Sequence, residues 1–190
     1  GQQGTVRDDV IVVMGPTSEP EAGFDPAYGW GAGEHVHEPL IQSTLTVTTT
    51  DLKIGYDLAT GMEASDDGLT WTVTIRDDVS FTDGEKLTAG DVAFTYNTLR
   101  DTSSVNDFTM LKEAQAVNDT TVEFHMNRPY SIWPYTMAIV GIVPEHAYGA
   151  GYGEHPVGSG RYMLKQWDKG QQFILEANED YYGEQPAIKR

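Results

Sequence analysis

A chain of 190 residues can bury one sizeable core, or one core and a small subdomain. A formal net charge of -17 argues against nucleic acid and anionic membrane as partners, since both need a basic surface. Hydrophobic content of 39% with 11% aromatics excludes a disordered acidic tail, and the absence of cysteine excludes a disulfide framework, a thiolate metal site and a thiol nucleophile.

The first apolar run, Val10–Met14, is too short for a signal-peptide core, and no run approaches the ~20 apolar residues of a membrane span. Its β-branched residues predict a strand buried on both faces. Residues 15–33 are rich in Gly and Pro and carry Phe24, Tyr28 and Trp30. A long loop holding large aromatics is a place to look for function. Phe24 is expected to pack that loop down; for Trp30 packing and binding both stand open. Residues 34–44 predict a short amphipathic helix with Val36, Leu40 and Ile41 inward, Pro39 being tolerable only in its first turn. Residues 45–50 set Leu45 and Val47 against Thr46 and Thr48, which predicts a strand.

The stretch from Leu58 to Arg100 carries the strongest local signals. Trp71, Val73 and Ile75 alternate with Thr70, Thr72, Thr74 and Arg76, the pattern of a strand with one buried and one wet face. Asp66-Asp67-Gly68 before it supplies the positive φ of a tight hairpin turn. Thr88 and Asp91 have capping-box spacing, and Val92, Tyr96 and Leu99 fall at i, i+4 and i+7 of the helix that follows.

Further on, residues 107–112 predict a helical turn, and residues 114–118 and 121–126 a hairpin across Asn118-Asp119-Thr120 with Val122, Phe124 and Met126 inward. Residues 129–139, with Tyr130, Trp133 and Tyr135, predict a helix from Ser131 and then a short strand to Val143. Residues 149–153 predict a flexible connector. A last hairpin pairs 161–167 with 172–178.

Candidate chemistry is sparse. Glu34-His35-x-His37-Glu38 is the one cluster of metal-ligand types; on a helix the two histidines stand about 200° apart, on a strand they could share an ion, and Glu34 with His37 or Glu38 would suit a helix but fall short of a closed site. Structure or solvent is the expected role, and no metal or cofactor is expected. Glu63-x-Ser65-x-Asp67-Gly68 lacks the first Asp and the bidentate twelfth ligand of a calcium loop. Gly158-Ser159-Gly160 is not a nucleophile elbow, because Ser159 is flanked directly by glycines. Gly29-x-Gly31-x-Gly33 lacks dinucleotide spacing. The chain is therefore expected not to be an enzyme; a metal-dependent hydrolase using His35, His37 and carboxylates, and an adhesion or signalling module, are the rivals.

Three blocks together resemble one family. Ser65-Asp66-Asp67-Gly68-Leu69-Thr70-Trp71 with Phe81-Thr82-Asp83-Gly84 and Thr88-Ala89-Gly90-Asp91-Val92 is the first. Pro156-Val157-Gly158-Ser159-Gly160-Arg161-Tyr162 followed by Asn178-Glu179-Asp180-Tyr181-Tyr182-Gly183 is the second. Phe24-Asp25-Pro26 with Glu38-Pro39-Leu40 is the third. They resemble, in order and spacing, the N-terminal lobe of the family 5 extracellular solute-binding proteins, which serve ABC importers of peptides and nickel. Met62, Arg161 and Tyr182 depart from the Trp, Pro and Trp usual in that family.

The resemblance implies an α/β fold: a mixed-sheet lobe I of the type II periplasmic-binding-protein kind with an inserted α+β subdomain. Residues 1–32 and 157–190 would form part of the main sheet, and 33–156 the insertion. Lobe II, and any signal or lipid anchor, would lie outside this sequence. The implied function is the monomeric substrate-binding component of an ABC importer at the periplasmic or extracellular face of the cytoplasmic membrane. It would capture a peptide, or alternatively a nickel chelate or other small solute, and deliver it to the membrane permease. The resemblance places Tyr28, Gly29, Trp30, Gly31 and Ala32 at the cleft, where backbone groups pair with an extended ligand. Gly158, Ser159 and Gly160 are the second candidate segment. Phe108 and Trp133 are weaker candidates, expected to be core. The absence of Arg from residues 136–143 tilts the expectation toward peptides.

Overall fold

The computed structural model describes residues 10–14, 24–27, 41–102, 107–169 and 172–183. The described residues form three sheets. Strand β1 (Val10–Met14) pairs with β9 (Gln172–Ala177), which pairs with β8 (Tyr162–Asp168). β2 (Thr46–Thr48) and β3 (Ile54–Tyr56) form a small hairpin. The third sheet has the order β4-β5-β7-β6, from β4 (Ala59–Ala64), β5 (Thr70–Ile75), β6 (Leu111–Asn118) and β7 (Thr121–Met126). Every ladder among the described residues is antiparallel, so the expected mixed sheet holds only in its coarse form, a mixture of helix and strand. Short turns join most consecutive partners, and a tight turn can only make an antiparallel pair.

The four-stranded sheet holds the main core. Val73, Ile75, Val122, Phe124 and Met126 are buried on one face, as their alternation predicts. Gly68, at φ 71°, closes the β4–β5 turn, with the Ser65 N–H donating to Thr70 O at 2.8 Å. Helix α1 (Ala89–Thr102) lays Val92, Tyr96 and Leu99 on that face. Asp91 supplies half of the predicted capping box: its Oδ2 accepts the Thr88 N–H at 3.0 Å. Its Oδ1 accepts the Glu145 N–H at 3.1 Å, so one carboxylate serves two helix starts. Trp133, in helix α2 (Trp133–Met137), completes an aromatic cluster with Tyr96 and Phe124 at centroid separations of 5.5 and 5.3 Å.

Several expectations are corrected. Residues 107–110 form a turn rather than a helix, and β6 begins at Leu111, three residues earlier than predicted. Residues 140–143 are not in a ladder; Ile142 gives its N–H to Ser43 O instead. Residues 41–44, the described end of the predicted helix, are extended or bent. In β2 the alternation fails: Thr46 is fully buried and donates to Pro134 O at 2.7 Å, while Val47 is only half-buried.

Candidate ligand-binding site

Six consecutive residues, 41–46, are all buried, and four of them are polar: Gln42, Ser43, Thr44 and Thr46. Such a run survives burial only if each polar group finds a partner. Ile41 O accepts the Gly160 N–H at 2.8 Å, Ser43 O the Ile142 N–H at 2.8 Å, and Thr44 O the Leu58 N–H at 3.1 Å. Leu45 O accepts from both Asp57 and Ala59. Thr44 Oγ1 turns back to Thr46 O at 2.6 Å. The strap is thus pinned by segments far apart in sequence, which is why local periodicity misreads it.

Two glycines let neighbours come this close. A Cβ on Gly158 would stand 2.1 Å from Ile41 O, and one on Gly141 would stand 2.6 Å from Gln42 Cβ. Both contacts are far inside van der Waals distance, so these positions require glycine for space rather than for conformation.

At its N-terminal end the strap meets Phe24-Asp25-Pro26-Ala27. The Gln42 Nε2–H donates to Phe24 O at 2.8 Å and to the Tyr152 hydroxyl at 3.1 Å, and that hydroxyl donates to Val157 O at 2.8 Å. Asp25 accepts the Ala27 N–H at 2.9 Å and the Tyr148 hydroxyl at 2.8 Å. Phe24, buried as expected, packs edge-on against Trp167 at 5.5 Å. Burial pushes the Tyr152 phenol well above its ordinary range, so it remains a donor at any physiological pH. Ala27 and Ile41 are 1% and 2% exposed, so both roots of segment 28–40 are fixed in packed structure.

Tyr28, Gly29, Trp30, Gly31 and Ala32 lie outside the described residues, as does the Glu34-His35-x-His37-Glu38 cluster. Gly158, Ser159 and Gly160 are described, and all three are buried against the strap. The Ser159 hydroxyl donates to Ser43 Oγ at 2.9 Å, Gly158 O accepts the Thr82 N–H at 2.9 Å, and Gly160 O accepts the Asn178 Nδ2–H at 2.9 Å. In this arrangement the segment supports the strap. Ser43 also hydrogen-bonds the Tyr182 hydroxyl, which donates to Asp57. Burial first, then Asp57, drives the Tyr182 phenol far above its usual range. The Arg76 guanidinium covers the Tyr182 ring at 4.8 Å. Arg161 lies 5.9 Å from the Tyr181 ring. Phe108 and Trp133 are core, at 3% and 0% exposure.

Sequence reasoning missed Gln42, Tyr148 and Tyr152 as the groups that hold the two ends flanking segment 28–40. The usable signal was the Asp-Pro pair: Asp25 is buried, and a buried carboxylate demands donors, which tyrosines further along the chain supply. Among the described residues no group of three His, Cys, Asp or Glu side chains is placed to hold a metal ion, and no helix is long and apolar enough to cross a membrane.

Residues 53–190 match the family described as bacterial extracellular solute-binding proteins, family 5 middle. Protein XP55 of Streptomyces lividans is 37% identical over 94% of this chain and 34% of its own length. The oligopeptide-binding protein AppA of Bacillus subtilis is 30% identical over 93% of this chain and 35% of its own length. Its crystal structure with a nonapeptide superposes with a TM-score of 0.73, at 29% identity over 87% of this chain and 36% of AppA. NikZ from Campylobacter jejuni, solved with Ni(L-His), superposes with a TM-score of 0.78, at 28% identity over 88% of this chain and 36% of NikZ. The chain spans about a third of the length of the relatives it matches.

Proposed function

The chain belongs to the bacterial extracellular solute-binding proteins of family 5, and from that premise we propose that it is part of the extracytoplasmic substrate-binding component of an ABC importer of peptides. Members of this family are non-enzymatic transport components, which removes the hydrolase rival. The described residues are proposed as part of one lobe: β1 with β8 and β9 from the main sheet (1–32 and 157–190), and 33–156 as the insertion. A second lobe would close over the ligand by hinge motion and present the closed form to the permease.

The observation that carries this is the fixing of both roots of segment 28–40 by buried Asp25, Gln42 and the strap. A segment anchored at both ends can offer backbone groups to an extended ligand at a reduced ordering cost. Tyr28, Gly29, Trp30, Gly31 and Ala32 are the proposed ligand contacts. Gly158, Ser159 and Gly160 act in this scheme by holding Ile41 and Ser43 in place. A nickel chelate is the second reading, favoured by the likeness to NikZ.

Mass spectrometry of ligand copurified with the full-length protein tests the proposal: peptide is expected, and metal chelate alone would shift it to the second reading. A micromolar ligand corresponds to about -8 kcal/mol, and half of that leaves roughly millimolar affinity. Calorimetry on this chain alone is therefore expected to show no submillimolar peptide binding, and finding it would overturn the shared-cleft arrangement.

A further inference from the structure

Outside the strap, one depression of about 430 Å³ is bounded by Glu154, His155 and Pro156 on one side and by β8 on the other. Four consecutive β8 residues line it: Leu164, Lys165, Gln166 and Trp167. Side chains alternate along a regular strand, and β8, at the sheet edge, also offers its backbone to the depression. The ladder is also irregular here. Leu164 pairs with Leu175 and Gln166 with Ile174, leaving Lys165 as an extra residue in a bulge. Bulges re-aim side chains in this way and are frequent beside binding sites.

The charges in the depression are unequal in availability. Lys169 is engaged twice, in an ion pair with Glu154 and at 5.2 Å over the Trp167 ring. Asp168 is engaged by Gln166, whose Nε2 lies 2.9 Å from its Oδ2. Lys165 is exposed and has no hydrogen bond or ion pair among the described residues; the His155 ring has no hydrogen bond there either, though it lies near enough to Glu154 to feel its charge. In a chain of net charge -17, an uncommitted cation and an imidazole beside a Trp wall are an unusual local arrangement. Remote carboxylates count for little there, since charges are screened over about 8 Å at physiological ionic strength.

We propose that this depression is a small-molecule site for an anion with a flat apolar body, an aryl carboxylate. Lys165 and His155 take the carboxylate; Trp167, Leu164 and Pro156 take the ring. Edge strands also carry lysines and bulges simply to prevent pairing with other chains, and that alternative predicts no ligand at all.

Titrating phenylacetate into the 190-residue chain, while following the assigned Trp167 indole N–H by NMR, separates the two. A saturable shift with a dissociation constant on the order of 1 mM is expected, the scale reached by ligands of about ten heavy atoms. Acetate and benzylamine should each bind at least about tenfold more weakly, having lost the ring contact or the charge. Lys165→Glu, at an exposed position, should weaken phenylacetate about tenfold or more, whereas Lys86→Glu, also exposed, should leave it unchanged. No saturable shift, or equal affinity in Lys165→Glu and the parent, overturns the proposal. The proposed peptide binding has its own test, on the full-length protein.

Discussion

The core between the four-stranded sheet and α1 and the strap at 41–46 are both buried, but they are held by different forces. In the sheet, Phe124, Tyr96 and Trp133 interlock ring against ring, Tyr96 and Phe124 at 4.8 Å, and stability comes from apolar area removed from water. In the strap, four of six residues are polar, and each hydrogen bond adds only about 1 kcal/mol net while its loss leaves a buried group unsatisfied. An apolar core tolerates rearrangement among similar volumes; a polar strap squeezed by glycines has one allowed position. That contrast suits a strap that fixes Ile41 at one end of segment 28–40.

The sharpest way to break the comparison is from the core side. Phe124→Ala should cost roughly 3–5 kcal/mol, seen as a fall in the urea midpoint at unchanged slope. Gly158→Ala should come next. Its methyl would meet the Ile41 carbonyl at 2.1 Å, and overpacking of this kind costs about 1–3 kcal/mol. Where the loss falls matters more than its size. Hydrogen exchange should show the amides of Gly160 and Thr82 losing protection while those of β5 and β7 keep it. Uniform loss across both regions would mean that strap and core unfold as one unit, and the distinction drawn here would fail.

The same contrast explains what could be read from the sequence. The β4–β5 hairpin, the Val92-Tyr96-Leu99 stripe, the Thr88–Asp91 spacing and the inward Val122, Phe124 and Met126 were legible because each is a local pattern with a local cause. β6 was caught only in its second half, since Leu111-Lys112-Glu113-Ala114 places its two buried residues three apart rather than two. The strap was illegible. Gln42, Ser43 and Thr44 look like solvent-facing residues, and their partners Phe24, Ser159 and Leu58 are scattered along the chain. Of the candidate site, Gly158, Ser159 and Gly160 were singled out by resemblance, but their packing beneath the strap has no signature in spacing.

The smallest expected effect probes the polar link between the two regions. The turn that holds Asp83 also gives its Thr82 N–H to Gly158 O, and Asp83 Oδ2 lies 2.6 Å from His146 Nε2. The hydrogen bond that the His146 ring donates to Asp83 raises its pKa above 6.5, burial opposes the rise, and the charges of Asp83, Asp91 and Glu85 add to it. A raised histidine pKa means that folding favours the protonated form. The added stability is complete well below pH 6.5 and is lost as pH climbs through the raised value. Both side chains are about a third or more exposed, at 41% and 32%, so screening keeps the gain within about 1 kcal/mol. Urea unfolding at pH 5.5 and pH 8 should therefore show the parent losing slightly more stability on alkalinisation than Asp83→Asn does. Phe124→Ala should show the parent's pH dependence unchanged, because an apolar contact has no proton to lose. A pH response that follows Phe124 rather than Asp83 would place the titrating group inside the core and undo the assignment of polar contacts to the strap side.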